Sequence, residues 1–201
     1  MTSPFDALVP HYSELWSETF KGRGQRQQVW REIEGLFVPG EQILDLGCGI
    51  GDDALHLMTR GLRITALDAS REMATIAQQR GVDARHLAIE HIEALKQCFD
   101  GALSNFGTFN CIADPARAAR DVAQVLRPGA YFAMCVLSRF YWKEALTLNF
   151  RRWLGHTIWR GLDIYYRSGR EWQRAFEPHF TLLRRVSLGG GDHTLYIWRR
   201  S

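Results

Sequence analysis

The chain has 201 residues, of which 46% are hydrophobic and 23% charged, and its formal net charge is +3. That length suits one domain with a core that needs no disulfide or metal, and the composition excludes disorder, collagen and coiled coil. No apolar run approaches the roughly 20 residues of a membrane span, and the N-terminal MTSPFDALVPHYSEL lacks a signal-peptide pattern.

Residues 5–37 read as helical, with apolar positions at Leu8, Tyr12, Leu15 and Trp16 and then at Val29, Trp30, Ile33 and Phe37. Gly22-Arg23-Gly24 is expected to break the two halves. A turn at Pro39-Gly40 leads to a short strand, Gln42–Leu46. A helix over Ala54–Thr59 stops at Gly61. A strand over Leu62–Leu67 ends in Asp68, and a helix over Arg71–Gln79 stops at Gly81. Ala84–Ile89 reads as a weaker strand, and Gly101–Ser104, preceded by Phe99, as a fourth. Pro115–Leu126 is a helix ended by Arg127-Pro128-Gly129, and Tyr131–Leu137 is an apolar, central strand. Phe180–Leu188 and His193–Arg199, joined by Gly189-Gly190-Gly191-Asp192, should pair as an antiparallel hairpin. Strands alternating with helices predict a parallel α/β sheet.

The net charge hides an asymmetry. Residues 1–138 carry −4, and residues 139–201 carry +7 together with five of the seven tryptophans. Such a basic, aromatic third points to a partner with negative charge. The four cysteines (Cys48, Cys98, Cys111 and Cys135) form no CxxC pair, so free thiols in a cytoplasmic protein are expected. The seven histidines show no metal-binding spacing, and no metal is expected.

The chemistry concentrates at Ile43-Leu44-Asp45-Leu46-Gly47-Cys48-Gly49-Ile50-Gly51. A buried strand ends in an acid and then alternate glycines, which let backbone approach a ligand closely. Seventeen residues after Gly51 the next strand ends in Asp68, a carboxylate able to take both hydroxyls of a ribose. The pair reads as an adenosine-cofactor site at the carboxyl ends of strands. The sixth position of a dinucleotide fingerprint is Asp52 rather than glycine. With Asp53 it sets two carboxylates where a pyrophosphate would sit. That favours a cationic, phosphate-free cofactor such as S-adenosylmethionine.

On these motifs the sequence resembles the class I S-adenosylmethionine-dependent methyltransferases of the small type 11 kind. The matching stretches are DLGCGIGDDALHL (45–57), ITALDASREM (64–73), FDGALSNFG (99–107) and VLRPGAYFAMCVL (125–137). The resemblance implies an α/β, Rossmann-like, seven-stranded, mostly parallel sheet with the last strand antiparallel and helices on both faces. It implies that Gly47, Cys48, Gly49 and Gly51 line the methionine part of the cofactor, with Asp45 near its amino group. Asp68 would hold the ribose, and Ala69, Ser70 and Met73 would flank the adenine. His91 falls where the family usually has an acid before the adenine contact, with Glu90 one place off and Ile92 following. Asn105 would lie under the reactive methyl group.

One domain is expected, divided into an N-terminal helical cap (1–38), a cofactor-binding core (40–138), a lid (139–167), and a last helix with the closing hairpin (168–201). The lid, rich in Trp, Tyr and Arg, reads as one or two helices and is longer than an ordinary connection. Arginines beside aromatics suit a small-molecule methyl acceptor with a carboxylate or phosphate on an apolar or aromatic body. General-base candidates are His11, Tyr12, His156 and Tyr166. Methylation of RNA or protein is the alternative, as is cofactor binding without turnover; a nucleic-acid partner is disfavoured because no added RNA-binding domain is present. Oligomeric state is left open by these motifs.

Overall fold

The computed structural model describes residues 6, 19–141, 143, 152–159 and 161–201. Helix α1 (Phe20–Glu32) leads into β1 (Gln42–Leu46), α2 (Asp52–Thr59), β2 (Arg63–Asp68), α3 (Arg71–Gln79) and β3 (Asp83–His86). Then follow β4 (Phe99–Ser104), α4 (Pro115–Val125), β5 (Leu126–Leu137), β6 (His156–Trp159), β7 (Leu162–Tyr165), α5 (Gly169–Phe176), β8 (Phe180–Leu188) and β9 (His193–Arg200). Seven strands form one sheet in the order β3-β2-β1-β4-β5-β9-β8. The first five are parallel, and β9 runs antiparallel to both neighbours. The strand order reverses between β1 and β4, which opens the crevice where ligands of such sheets bind.

Alternation along the strands divides the core into two layers. Leu44, Leu46, Phe132, Met134, Tyr196 and Trp198 pack against α4 and α5 on one face. Ile43, Leu103, Cys135, Leu195 and Ile197 meet Val29, Ile33, Ala54 and Ala77 on the other. Phe176 is fully buried, with ring centroids 5.1 Å from Trp198, 5.7 Å from Phe180 and 6.0 Å from Phe132. Phe176→Ala should therefore cost about 3–5 kcal/mol, a loss read from the urea unfolding midpoint. A midpoint unmoved by the substitution would contradict this packing.

Three expectations need correction. First, Gly22 and Gly24 do not break a helix but lie inside α1. The Thr19 hydroxyl caps it by accepting from the Gly22 N–H at 2.9 Å, and Val29 and Ile33 bury its lower half. Packing and capping thus outweigh the roughly 1 kcal/mol that each glycine costs a helix. Second, the described part of the lid is a hairpin of β6 and β7, not helix. Thr157, Ile158, Trp159, Ile164 and Tyr165 favour strands, and Gly161 supplies a left-handed turn residue at φ 81°. The rest of the expected lid helices lies outside the described residues. Third, the Arg127-Pro128-Gly129 stretch belongs to β5, whose Leu126 pairs with Phe99 before a bulge.

Candidate functional site

The glycine-rich turn joins β1 to α2 at the switch point. Gly47 and Cys48 N–H groups both donate to the Leu67 carbonyl, at 2.8 and 2.9 Å, which ties the turn to the end of β2. Gly47 adopts φ 76°, and a Cβ there would lie 2.3 Å from the Thr108 side chain. Gly51 adopts φ 86°, and its Cβ would press on Ala77 and Val82 at 3.1 Å. Both positions therefore require glycine for conformation and for space.

Asp68 ends β2 with both carboxylate oxygens held. Oδ2 accepts from the Gly49 N–H and Oδ1 from the Ser70 N–H, each at 2.8 Å. Burial pushes its carboxyl above the ordinary value, and those two backbone donors pull it back. Each oxygen keeps further acceptor capacity for a hydroxyl. Ser70 is buried and caps α3 by accepting from the Met73 N–H at 3.1 Å. Its hydroxyl also meets the Asp6 carboxylate at 2.5 Å. Ala69 lies between these two anchors, and the Met73 side chain is buried on α3.

Asp45 lies at the base of the crevice and is 1% exposed. Its Oδ2 has no hydrogen-bond partner. Burial drives its carboxyl well above the ordinary range, the charges of Asp53 and Asp68 raise it further, and Arg26 opposes them. A buried carboxyl oxygen with no donor fits the ammonium of an amino-acid cofactor.

Asp52 and Asp53, expected as bare charges, are partnered instead. Asp52 pairs with Arg26 at 3.0 Å and with Arg80 at 2.7 Å. Asp53 accepts from the Trp30 indole N–H at 2.7 Å and the Asn105 amide at 3.2 Å, and it pairs with Arg26 at 3.3 Å. Asn105, which follows β4, also accepts from the Gln25 amide at 3.0 Å, and Gln25 reaches the Cys135 sulfur at 3.1 Å. Burial pushes the Cys135 thiol up to about 12, which makes it an inert core group rather than a nucleophile. Gln25, Arg26 and Trp30 of α1 escaped the sequence reading. Their spacing on a buried helix face was a usable signal, lost once Gly22-Arg23-Gly24 was taken as a break.

His91 and Ile92 fall in a 3-10 segment over Ile89–Leu95. His91 is exposed, while the Ile92 side chain is core. His11 and Tyr12 lie outside the described residues. His156 sits on the β6–β7 hairpin, paired with Asp163 at 2.8 Å and stacked on Tyr165. Tyr166 is buried, with the Arg152 guanidinium 5.5 Å from its ring centre. The structure thus gathers the cofactor candidates of β1 and β2, and sets His156 and Tyr166 apart from them on the insertion.

A second cluster forms beyond the carboxyl end of β5. Buried Asp192 meets Lys21 at 2.5 Å, Arg152 at 2.7 Å and His193 at 3.3 Å. Burial raises the Asp192 carboxyl, but His193, Lys21 and Arg152 together outweigh it and hold the group below the usual range. A depressed carboxyl stabilises the fold above its unfolded pKa of roughly 3.9, and this support is lost as pH falls from about 5. Asp192→Ala should cost about 3–5 kcal/mol at pH 7, because it strands buried cations. Urea unfolding at pH 7 and pH 3 reads this out, with the gap from the parent protein expected to shrink in acid. A gap independent of pH would contradict the assignment.

Strand order, glycine turn and carboxylates together define an adenosine-cofactor site on a Rossmann-like sheet. Comparison with known proteins names the class more closely. Residues 44–134 match the type 11 methyltransferase model, described as a methyltransferase domain. The malonyl-[acyl-carrier protein] O-methyltransferase of Pectobacterium atrosepticum is 34% identical over 49% of this chain and 40% of its own length. The 2-phytyl-1,4-naphtoquinone methyltransferase of a Synechocystis strain is 29% identical over 74% of this chain and 66% of its own. The chain thus spans between about two fifths and two thirds of these curated relatives. An S-adenosylmethionine-dependent methyltransferase from Clostridium acetobutylicum superposes with a TM-score of 0.74 at 13% identity, covering 99% of this chain and 100% of that one. The chain belongs to the class I S-adenosylmethionine-dependent methyltransferases, and S-adenosylmethionine is the cofactor of that family. Among the described residues no cluster could hold a metal ion, and no helix is long and apolar enough to cross a membrane.

Proposed function

We propose that the protein transfers the methyl group of S-adenosylmethionine to a small metabolite that carries an anionic group on an apolar or aromatic body. The bound cofactor supplies an electrophilic methyl carbon on a sulfonium. The chain's part is to orient it and bring the acceptor in line. In this reading Asp68 takes the ribose hydroxyls, and Ala69, Ser70, Met73, His91 and Ile92 border the adenine. Gly47, Cys48, Gly49 and Gly51 cradle the amino-acid portion, and Asn105 borders the methyl group. The acceptor's lone pair attacks the methyl carbon as the carbon–sulfur electrons return to sulfur, and a protonated acceptor loses its proton to a nearby base or water.

The observation that carries the acceptor class is the Lys21, Arg152 and His193 cluster around Asp192. Lys21 lies one helical turn before Gln25, which touches Asn105. The rings of Tyr141 and Tyr166 flank Arg152, with centroids 5.3 and 5.5 Å from its guanidinium carbon. Cation and ring together suit an anionic aromatic acceptor. Residues 1–38 and 139–167 act as cap and lid over that end of the sheet. Tyr166 and His156, with His11 and Tyr12 of the cap, remain the general-base candidates. Much of the basic third is spent internally: Arg139 pairs with Glu171, Arg184 with Glu32, and Arg167 donates to the carbonyls of Ile112 and Ala113. That favours a small acceptor over a nucleic acid. A cytoplasmic location belongs to the same reading, supported by four free thiols. Incubation with S-adenosylmethionine and a polymer-free metabolite fraction should yield S-adenosylhomocysteine and a methylated small product by mass spectrometry. Turnover only with RNA or protein added, or none with any fraction, would overturn the reading.

A further inference from the structure

Two buried groups of opposite sign lack hydrogen-bond partners on the same side of the crevice. One is the Asp45 Oδ2 acceptor, the other the Arg26 Nε–H donor. Both residues are more than nine-tenths buried. They are electrostatic neighbours, since Arg26 pulls against the upward shift of Asp45. Arg26 is fixed rather than wandering. Its Nη1 meets Asp52 at 3.0 Å, and its guanidinium carbon sits 4.5 Å from the centre of the Phe106 ring. Phe106 follows Asn105 directly, with a left-handed φ of 53° that turns the chain after β4. Its N–H donates to the Asn105 side chain at 2.8 Å. The guanidinium is therefore held between the start of α2 and the end of β4, on the flanks of the switch-point crevice.

Neither acid needs Arg26 as its sole partner. Asp52 has Arg80, and Asp53 has Trp30 and Asn105. A guanidinium offers five N–H donors in a planar fork, and the two acid contacts leave donors over. A buried orphan donor is costly, and native proteins keep one mainly where a ligand completes it. An orphan cation donor beside an orphan carboxyl matches the two ends of an α-amino acid, one ammonium and one carboxylate.

We propose that Arg26 of α1 binds the carboxylate of the cofactor's amino-acid tail while Asp45 of β1 takes its ammonium, so that α1 is part of the cofactor site. The plainer alternative is that Arg26 only clamps α1 to α2. The two differ in which ligands respond to its loss. The assignment depends on the cofactor and not on the acceptor, so failure of the acceptor reading leaves it standing.

The test is titration calorimetry of the full chain with two stable ligands. S-adenosylhomocysteine carries the zwitterionic tail, and 5′-deoxy-5′-methylthioadenosine shares its adenosine and thioether but has no tail. Arg26→Gln should weaken S-adenosylhomocysteine about 10- to 100-fold and leave methylthioadenosine unchanged. Arg26→Lys keeps the charge and loses the fork, so it should fall between the parent protein and Arg26→Gln. Should Arg26→Gln not fold, the Lys variant still reports, because a selective loss for the tailed ligand is required of it too. Equal weakening of both ligands would mean a structural clamp and overturn the proposal. Undiminished S-adenosylhomocysteine binding by either variant would overturn it as well.

Discussion

Asp68→Ala should weaken S-adenosylmethionine binding by about 100-fold, measured by calorimetry at fixed pH and salt. The carboxylate would accept two ribose hydroxyls, and hydrogen bonds to a charged group are worth about 1.5–3 kcal/mol each. The residue also organises the pocket, because Gly49 and Ser70 N–H groups converge on its two oxygens. Alanine therefore removes the ligand contacts and loosens two loops at once. Asp68→Asn separates the effects: its one carbonyl oxygen keeps part of the loop bonding, and it lacks the charge. It should retain more stability than alanine while still losing most of the affinity. An alanine variant that binds the cofactor as tightly as the parent would remove Asp68 from the site.

A second large effect concerns pH. The empty pocket keeps Asp45 protonated to unusually high pH, first through burial and then through Asp53 and Asp68. An ammonium placed against it favours the ionised form. Binding then releases a proton, and affinity rises with pH between the loaded and empty pKa values, at most about tenfold per pH unit. The stability of the unliganded chain runs the other way. A carboxyl whose folded pKa is raised supports the fold at low pH and loses that support as pH climbs through it. Cofactor should therefore raise the melting temperature more at pH 8 than at pH 6. Asp45→Asn should flatten the affinity profile. Affinity that falls with rising pH would contradict this role for Asp45.

The cofactor half of the molecule was legible because its signals are local. The DLGCGIG turn needs glycines for φ and for space, and Asp68 ends a strand whose length and composition announce it. The closing hairpin was legible for the same reason, with two apolar runs joined by three glycines. Helix α1 was hidden because the argument for it is tertiary. Gly22 and Gly24 oppose a helix locally, and only packing of Val29 and Ile33 with the Gln25 and Arg26 contacts favours it. The Asp192 cluster was hidden because Lys21, Arg152 and Asp192 are far apart in sequence and meet only once β9 closes the sheet. The hairpin of β6 and β7 misled because its aromatics also fit a helical face, and Gly161 alone marked the turn.

The most direct test of the account is calorimetry of the full chain with S-adenosylmethionine, with NAD as the comparison ligand. One site with micromolar affinity for S-adenosylmethionine and no heat from NAD is expected. No binding at high micromolar S-adenosylmethionine, or binding of NAD with equal affinity, would contradict the cofactor assignment on which the rest depends.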